Sequence, residues 1–216
     1  MDDRIFELIQ SWTDTIATDL GLVASAIEGH YTRLYRDDPS IRGFQCFMTA
    51  TASLPDAASR MVSYGLNQFQ HEASIAGMHS PGTLSIALQQ SHAYTQQLRL
   101  HAARRFQAAL VSRSSIAPAR IASMKLLNRA GQQHSGMQML ALMVRKAAID
   151  LYNEAAINGL ITVGHPVARV YALDKQHPLD GQLISLTGEQ EGLPTYADIQ
   201  DEWFHPRSNA LIGRKL

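Results

Sequence analysis

Residues 5–34 read IFELIQSWTDTIATDLGLVASAIEGHYTRL, and this stretch decides the fold because its apolar side chains recur at helical spacing. Starting from Ile5, the steps between apolar positions are 4, 3 and 4 residues, repeated, which is an 11-residue period. Such a period averages about 3.67 residues per turn and keeps one apolar face along a long helix. The helix should end near Asp38, because Pro39 disfavours helical backbone in the residue before it.

A helix of this length needs a partner for its apolar face. At 1.5 Å per residue it would extend about 45 Å, which is more than a small globule spans. The sequence therefore predicts a helical bundle in which the apolar stripe is either a contact with a second subunit or part of the chain's own core. The members of this predicted interface stripe are Ile9, Trp12, Ile16, Leu20, Val23 and Ile27.

Helical spacing continues along the chain to about Gly159, which is a suitable C-terminal stop for a strongly apolar helix. Within this part, Pro118 predicts the start of a helix that reaches Ala130. After Gly159, β-branched and aromatic residues become frequent. We therefore expect short strands, with a turn at Asp180-Gly181 before the last of them, in residues 160–163, 167–171 and 183–186.

The end of the sequence adds one short helix. Thr195 and Asp198 have the spacing of a capping box, and residues 207–216 have the character of a tail. The predicted fold class is thus mainly α, a long-helix bundle with a small C-terminal appendage that contains a β-hairpin. We place the bundle in residues 1–159 and the mixed appendage in residues 160–216.

Formal charge is segregated along the chain. Residues 73–149 contain no Asp or Glu and nine Lys or Arg, which gives +9. Residues 1–72 have a charge of −5 and residues 150–216 a charge of −4, so the net charge of zero is a sum of opposed blocks. Charge separated in this way indicates a partner, either another chain or a polyanion, and says little about the fold.

The basic middle of the chain has two interpretations. A stripe of arginines could bind a polyanion such as nucleic acid, and the affinity would then fall steeply with salt. The same arginines could instead face an acidic segment of this chain or of another copy. The predicted basic surface consists of Arg99, Arg104, Arg105, Arg113 and Arg120.

The sequence contains no recognisable catalytic motif. It has no Walker-type loop, no Gly-x-Gly-x-x-Gly and no Gly-x-Ser-x-Gly. His71-Glu72 lacks the second histidine of the zinc-protease spacing, although folding could gather His165, His177 and His205 near acidic residues. We expect no enzymatic activity, no catalytic residue, no metal site and no cofactor, and no small-molecule substrate is indicated.

The cellular location of the protein is predicted from the signals that the sequence lacks. Its first residues, Met-Asp-Asp-Arg, are not followed by the apolar segment of a signal peptide. The longest uninterrupted apolar run, residues 139–144, is far shorter than the roughly 20 residues that cross a bilayer. We therefore expect a soluble protein of the cytoplasm, or of a particle assembled there.

Residues 69–106 combine an amphipathic helix, a short break at Ser80-Pro81 and a second helix that carries Leu88-Gln89. This arrangement resembles phasins, the coat proteins of polyester granules. The resemblance covers under a fifth of the chain. It implies a role at a granule surface.

The long apolar stripe, the opposed charge blocks and the lack of catalytic motifs favour a non-enzymatic structural subunit. It would self-associate or dock into a larger complex, and secretion machines and virions contain subunits of this kind. A contact between the basic middle of one copy and an acidic flank of the next would build a ring or a filament. The alternatives are a helical module that binds nucleic acid through residues 73–149, and a phasin-like protein of a granule surface.

Overall fold

The computed structural model describes residues 3–112, 125–127, 133–174 and 176–214. The helices are α1 (Arg4–Asp37), α2 (Ile41–Ala50), α3 (Leu54–Glu72), α4 (Pro81–Ser112), α5 (Gly136–Thr162) and α6 (Tyr196–Trp203). The strands are β1 (Lys125–Leu127), β2 (Gln133–Ser135), β3 (Val167–Ala172), β4 (Leu183–Ser185) and β5 (Ala210–Arg214). This mainly α fold with a small antiparallel sheet near the C-terminus confirms the predicted fold class. Among the described residues, no helix combines the length and the apolar composition that crossing a membrane requires.

The chain divides into two compact units. Unit 1 consists of Met1–Asp14, Tyr64–Ala87 and Leu142–Leu216, and unit 2 of Thr15–Ser63 and Leu88–Ala141. Each unit therefore collects segments that are distant in the sequence. The predicted domain boundary between residues 159 and 160 stays a prediction.

α1 agrees with the helix that the 11-residue apolar period predicts. It ends at Asp37, because Pro39 prevents the helix from continuing. α2 follows almost at once, and the Ser40 hydroxyl caps it by accepting a hydrogen bond from the Gly43 amide at 3.3 Å. A Cβ atom on Gly43 would lie 1.8 Å from the Asp38 carbonyl oxygen, so this connection requires glycine.

The sheet of unit 1 has the order β4-β3-β5, and both pairings are antiparallel. The β3–β4 pair confirms the predicted hairpin. Gly181, in the loop between these strands, has a φ of +87°, in the left-handed region that favours glycine. On β3 the alternate residues Ala168, Val170 and Ala172 are buried, as expected for one face of a strand against a core.

The strand predicted for residues 160–163 is wrong, because α5 continues to Thr162. The Val163 amide still bonds to the Gly159 carbonyl at 3.3 Å, so Gly159 does not end the helix. Gly164, with a φ of +78°, does so. Leu160 is buried, and this burial favours one more helical turn over the strand that its neighbours suggested.

The tail predicted for residues 207–216 is also wrong in part, because residues 210–214 form β5 and pair with β3. Ala210, Leu211 and Ile212 are buried. The Ile212 amide donates a hydrogen bond to Asn153 Oδ1 on α5 at 2.9 Å. A distant strand and a distant helix thus order a segment whose local sequence shows no strand pattern.

Phe106 is the centre of an aromatic cluster in unit 2. Its ring is fully buried, and four other rings have centroids 5.3–6.0 Å away. They belong to Tyr31, Tyr35, Phe44 and Phe47. Three of the four contacts are edge-to-face, an arrangement that stabilises aromatic pairs beyond the area they bury.

Unit 2 also contains a two-stranded antiparallel pair, β1 with β2. β1 falls within the helix predicted from Pro118 to Ala130, so that prediction is wrong at residues 125–127. The backbone groups of this segment pair with β2 in an antiparallel ladder, so they do not form the hydrogen bonds of a helix. The other residues of the predicted helix lie outside the described residues.

Candidate functional site

The predicted interface stripe on α1 lies mostly inside the folded chain. Five of its six members are at most 4 % exposed, namely Ile9, Ile16, Leu20, Val23 and Ile27. Trp12 is half-buried, and its indole Nε1 donates to Glu72 Oε2 at 3.0 Å within unit 1. Side chains that are already buried have no surface left for a second copy. The structure therefore favours the core role of the stripe over a contact between folded copies.

Arg99, predicted to lie on the basic surface, is buried in unit 2 with 8 % of its surface exposed. Its Nε donates to Thr51 Oγ1 at 3.0 Å, and its Nη2 donates to the Met48 carbonyl at 2.7 Å. Met48 and Thr51 lie at the C-terminal end of α2, where free carbonyls and the helix dipole favour a cation. The surface role predicted for Arg99 is wrong, because a charge pattern does not show which side chain finds buried acceptors.

Replacing Arg99 by methionine should lower the free energy of unfolding by about 1–3 kcal/mol, because buried acceptors on α2 lose their donors. Urea denaturation followed by circular dichroism measures the difference. Arg104→Met is the matched control, since it removes the same group from an exposed position on α4. It should change stability by less than about 0.5 kcal/mol. Equal effects of the two substitutions would contradict the capping role.

Arg104 and Arg105 are exposed neighbours on α4 in unit 2, and we call them the arginine pair. In the part of the chain that the structure describes, neither forms an ion pair. Burial lowers the pKa of His101, and the positive charges of Arg105 and then Arg104 lower this pKa further. Arg113 and Arg120 lie outside the described residues. The arginine pair is therefore what the structure shows of the predicted basic surface.

A cleft in unit 1, which we call the acidic cleft, has a volume of about 650 Å³. Asp3, Glu7, Gln10 and Asp14 form one wall, at intervals of four, three and four residues that place them on one face. All four are exposed. The other lining residues are Phe6, Ser11, Arg145, Leu173 and Asn209.

Arg145, on α5, is held in the acidic cleft by neutral acceptors. Its Nη1 donates to Gln10 Oε1, and its Nη2 donates to Asn209 Oδ1 at 2.6 Å and to the Ser208 carbonyl at 3.4 Å. Partial burial lowers the pKa of Arg145, and the nearby carboxylate of Asp14 opposes this effect. Arginine nevertheless keeps its charge in proteins. The lining of the acidic cleft thus contains one fixed cation and three carboxylates.

Asp150 is a buried carboxylate in unit 1 whose donors come from the same unit. Its Oδ1 accepts from Lys146 Nζ at 2.5 Å and from the Tyr196 hydroxyl at 3.1 Å. Burial raises the pKa of Asp150, while Lys146 and the hydrogen bonds lower it by less. Burial, followed by the charge of Asp150, raises the pKa of Tyr196, so this hydroxyl stays protonated and donates. These contacts join α6 to α5, which gives the cluster a structural role.

A second cleft in unit 1, of about 330 Å³, lies beside Glu154 and Tyr196. The Glu154 carboxylate accepts hydrogen bonds from the Ser80 amide at 3.0 Å and from the Thr83 hydroxyl. Both of its oxygens are therefore used at the N-terminal end of α4, where a negative charge is favourable. This carboxylate caps a helix.

Two of the three C-terminal histidines of unit 1 stabilise turns through their side chains. His177 Nδ1 accepts from the Leu179 amide at 3.2 Å, and His205 Nδ1 accepts from the Arg207 amide at 3.1 Å. His165 is half-buried. Within the described ranges, no three His, Cys, Asp or Glu side chains are placed to hold a metal ion.

The two compact units have opposite formal charges. Unit 1 contains 14 acidic and eight basic residues, which gives −6 with histidine neutral. Unit 2 contains five acidic and eleven basic residues, which gives +6. The acidic cleft belongs to the negative unit and the arginine pair to the positive unit. Formal charge is therefore segregated between the two compact units as well as along the sequence.

The sequence did not predict a role for Arg145 or the presence of the acidic cleft. The only signal was a basic pair, Arg145-Lys146, inside a strongly apolar helix. Asp3, Glu7 and Asp14 could be placed on one helix face, but their second wall comes from residues more than 130 positions away. No known protein family, curated protein or solved structure matches the chain. Function is therefore inferred from the charges and the clefts.

Proposed function

We propose that the protein is a non-enzymatic assembly subunit that self-associates head to tail, with unit 1 of one copy meeting unit 2 of the next. The observation that supports this most directly is the opposite formal charge of the units, −6 and +6. Complementary charge speeds association and disfavours contacts between like-charged surfaces. Such a contact joins two different surfaces, so its repetition builds a ring or a filament.

The proposed contact should be sensitive to salt. Exposed ion pairs contribute only about 0–1 kcal/mol each, so several must act together to hold two copies. Their attraction acts over about 30 Å at 0.01 M ionic strength and over only about 3 Å at 1 M. The stripe on α1 is mostly buried and therefore offers little apolar area to replace them. We therefore expect assembly to depend on ionic strength and on protein concentration.

Light scattering after size-exclusion chromatography tests the proposal. At about 0.01 M ionic strength the protein should form a species of at least twice the chain mass of 23.8 kDa, and at about 1 M it should elute as a monomer. The ratio of absorbance at 260 and 280 nm, recorded on the same peak, controls for bound nucleic acid. A monomer without nucleic acid at both salt concentrations, over a hundredfold range of protein concentration, would contradict self-assembly.

A second candidate function, the binding of a polyanion such as nucleic acid, is favoured by one feature of unit 2. Tyr35 and Phe44 are half-buried and pack against Phe106, the residue that follows the arginine pair. The charge of Arg105 lowers the pKa of Tyr31 against the larger effect of burial, which places Arg105 near the same aromatic cluster. Partly exposed rings beside arginines provide the stacking and charge that single-stranded nucleic acids bind.

The same chromatography separates the two candidates. A polyanion-binding protein should elute as a monomer that carries nucleic acid at low salt and loses it at high salt. Arg104→Glu/Arg105→Glu should then release the nucleic acid and leave the protein mass unchanged. A self-assembling subunit shows the opposite behaviour, a changed protein mass with no nucleic acid in the peak.

A further inference from the structure

The acidic cleft has the size to receive side chains from another molecule. Its volume of about 650 Å³ lies within the roughly 300–1,000 Å³ of pockets that bind small ligands. Glu7 and Gln10 of α1 line it together with Leu173 and Asn209, which come from later segments of unit 1. Leu173 is 46 % exposed, so it provides apolar surface to the aliphatic part of an incoming side chain.

The charges of the acidic cleft define the kind of group that fits. Carboxylates one helical turn apart repel each other, and a cation placed between them relieves this repulsion. Among the described residues, neither Asp3 nor Glu7 forms an ion pair. Arg145 bonds to neutral acceptors and leaves a surplus of negative charge. Guanidinium groups suit such a surface, because they bind carboxylates through two parallel hydrogen bonds.

The same chain presents a group of this chemistry. Arg104 and Arg105 are adjacent, exposed and without an ion pair within the described residues. They lie on α4 within residues 73–149, which contain no Asp or Glu. No carboxylate close to them in the sequence therefore competes for them. Each chain has one arginine pair and one acidic cleft. A contact between them on different copies would leave a free pair at one end of an open assembly and a free cleft at the other, whereas a ring would leave neither.

We infer that the arginine pair of one copy docks in the acidic cleft of another, with the two guanidinium groups on the carboxylates of Asp3 and Glu7. The inference rests on the proposed self-association and names its contact. Arg145 keeps Gln10 and Asn209 in place on the two walls of the cleft. The proposed occupant is a second copy of this chain, bound through the opposite charges of the arginine pair and the acidic cleft.

A charge swap tests the contact. Arg104→Glu/Arg105→Glu gives a copy with an acidic pair and an acidic cleft, and Asp3→Lys/Glu7→Lys gives a copy with a basic pair and a basic cleft. Each variant alone should be monomeric at low salt, with an apparent dissociation constant raised at least about 100-fold, because like charges would face each other. An equal mixture should assemble again as an alternating oligomer, since each pair then meets a cleft of opposite charge.

Two controls match the swap in charge and exposure. Arg42→Glu/Arg60→Glu reverses two exposed arginines of unit 2, and Glu189→Lys/Glu191→Lys reverses two exposed glutamates of unit 1. Both change the unit charges as much as the test variants do, and both should assemble with a dissociation constant within about threefold of that of the wild type. Circular dichroism melting confirms that each variant is folded. If Asp3→Lys/Glu7→Lys does not fold, Asp3→Asn/Glu7→Gln replaces it, and this neutral variant should still weaken assembly at least about tenfold.

The outcomes distinguish the contact from the proposed function. Loss of assembly in both test variants, recovery in the mixture and assembly of both controls would support the contact. A wild-type oligomer that persists in both test variants would overturn the contact and leave self-association standing. Test and control variants that weaken assembly equally would also overturn it, since only the net charge of each unit would then matter. A wild-type protein that is monomeric at low salt would overturn the proposed function and the contact together.

Discussion

Replacing Ile16 and Val23 together by aspartate should unfold unit 2 and should not release folded monomers. The two side chains are 1 % and 4 % exposed. A carboxylate without a partner at a buried apolar position costs several kcal/mol, even when it avoids ionisation by taking up a proton. Two such sites together approach or exceed the roughly 5–15 kcal/mol that holds a whole domain folded. The helical signal in circular dichroism at 25 °C and its melting curve measure the effect.

The control for this double substitution lies on the opposite face of the same helix. Leu22→Asp/Ser25→Asp adds the same charge at positions that are exposed, Leu22 by 62 %. This variant should melt cooperatively near the wild-type temperature. If Ile16→Asp/Val23→Asp also gave a folded monomer, while the wild type assembled, the stripe would be an interface between copies and its place in the core would be wrong.

Truncating Phe106 to alanine should have the next largest effect, a loss of about 3–5 kcal/mol in the free energy of unfolding. The ring contacts four others in unit 2, so its removal opens a cavity in the middle of the aromatic cluster. Two of those rings, Tyr31 and Phe47, are themselves buried and cannot relax outward easily. Urea denaturation measures the loss of stability.

Two variants on α4 control for the chemistry and the position of this change. Phe106→Leu retains most of the apolar volume and should cost clearly less than the alanine variant. Val111→Ala removes apolar atoms from a side chain that is 86 % exposed, and should stay within about 0.5 kcal/mol of the wild type. A loss below about 1 kcal/mol for Phe106→Ala would show that unit 2 does not depend on the cluster.

The local features of the fold could be predicted from the sequence. The period in residues 5–34 gives α1, since a regular apolar repeat has few alternatives to a helix. The capping box at Thr195 gives α6, where the Asp198 carboxylate accepts from the Thr195 amide at 2.9 Å and from its hydroxyl at 2.7 Å. The β3–β4 hairpin follows from β-branched residues flanking a turn. In each case the determining contacts lie within about twenty residues.

Features that depend on distant contacts could not be predicted. β5 exists because β3 offers it a ladder, and the sequence of β5 alone resembles a tail. Arg99 is buried because Met48 and Thr51, about fifty residues earlier, provide acceptors for it. The acidic cleft joins a wall on α1 to Arg145 and Asn209, which no spacing rule connects. Apolar periodicity predicts that a face is covered, but it does not say by what, so the buried stripe could equally have been an interface.

The segmented construction of unit 1 has a consequence for the order in which the protein folds as it is synthesised. Its first segment, which bears the acidic wall, leaves the ribosome long before the strand at residues 210–214 that completes the sheet. A nascent chain therefore holds these exposed carboxylates for most of its elongation without the arginine that later lies among them. Contacts between residues so far apart form slowly, because a long loop must close before any of them is made. Unit 2, whose last residue is Ala141, has its complete sequence earlier, so the positively charged part of the molecule is fully translated before the negatively charged part.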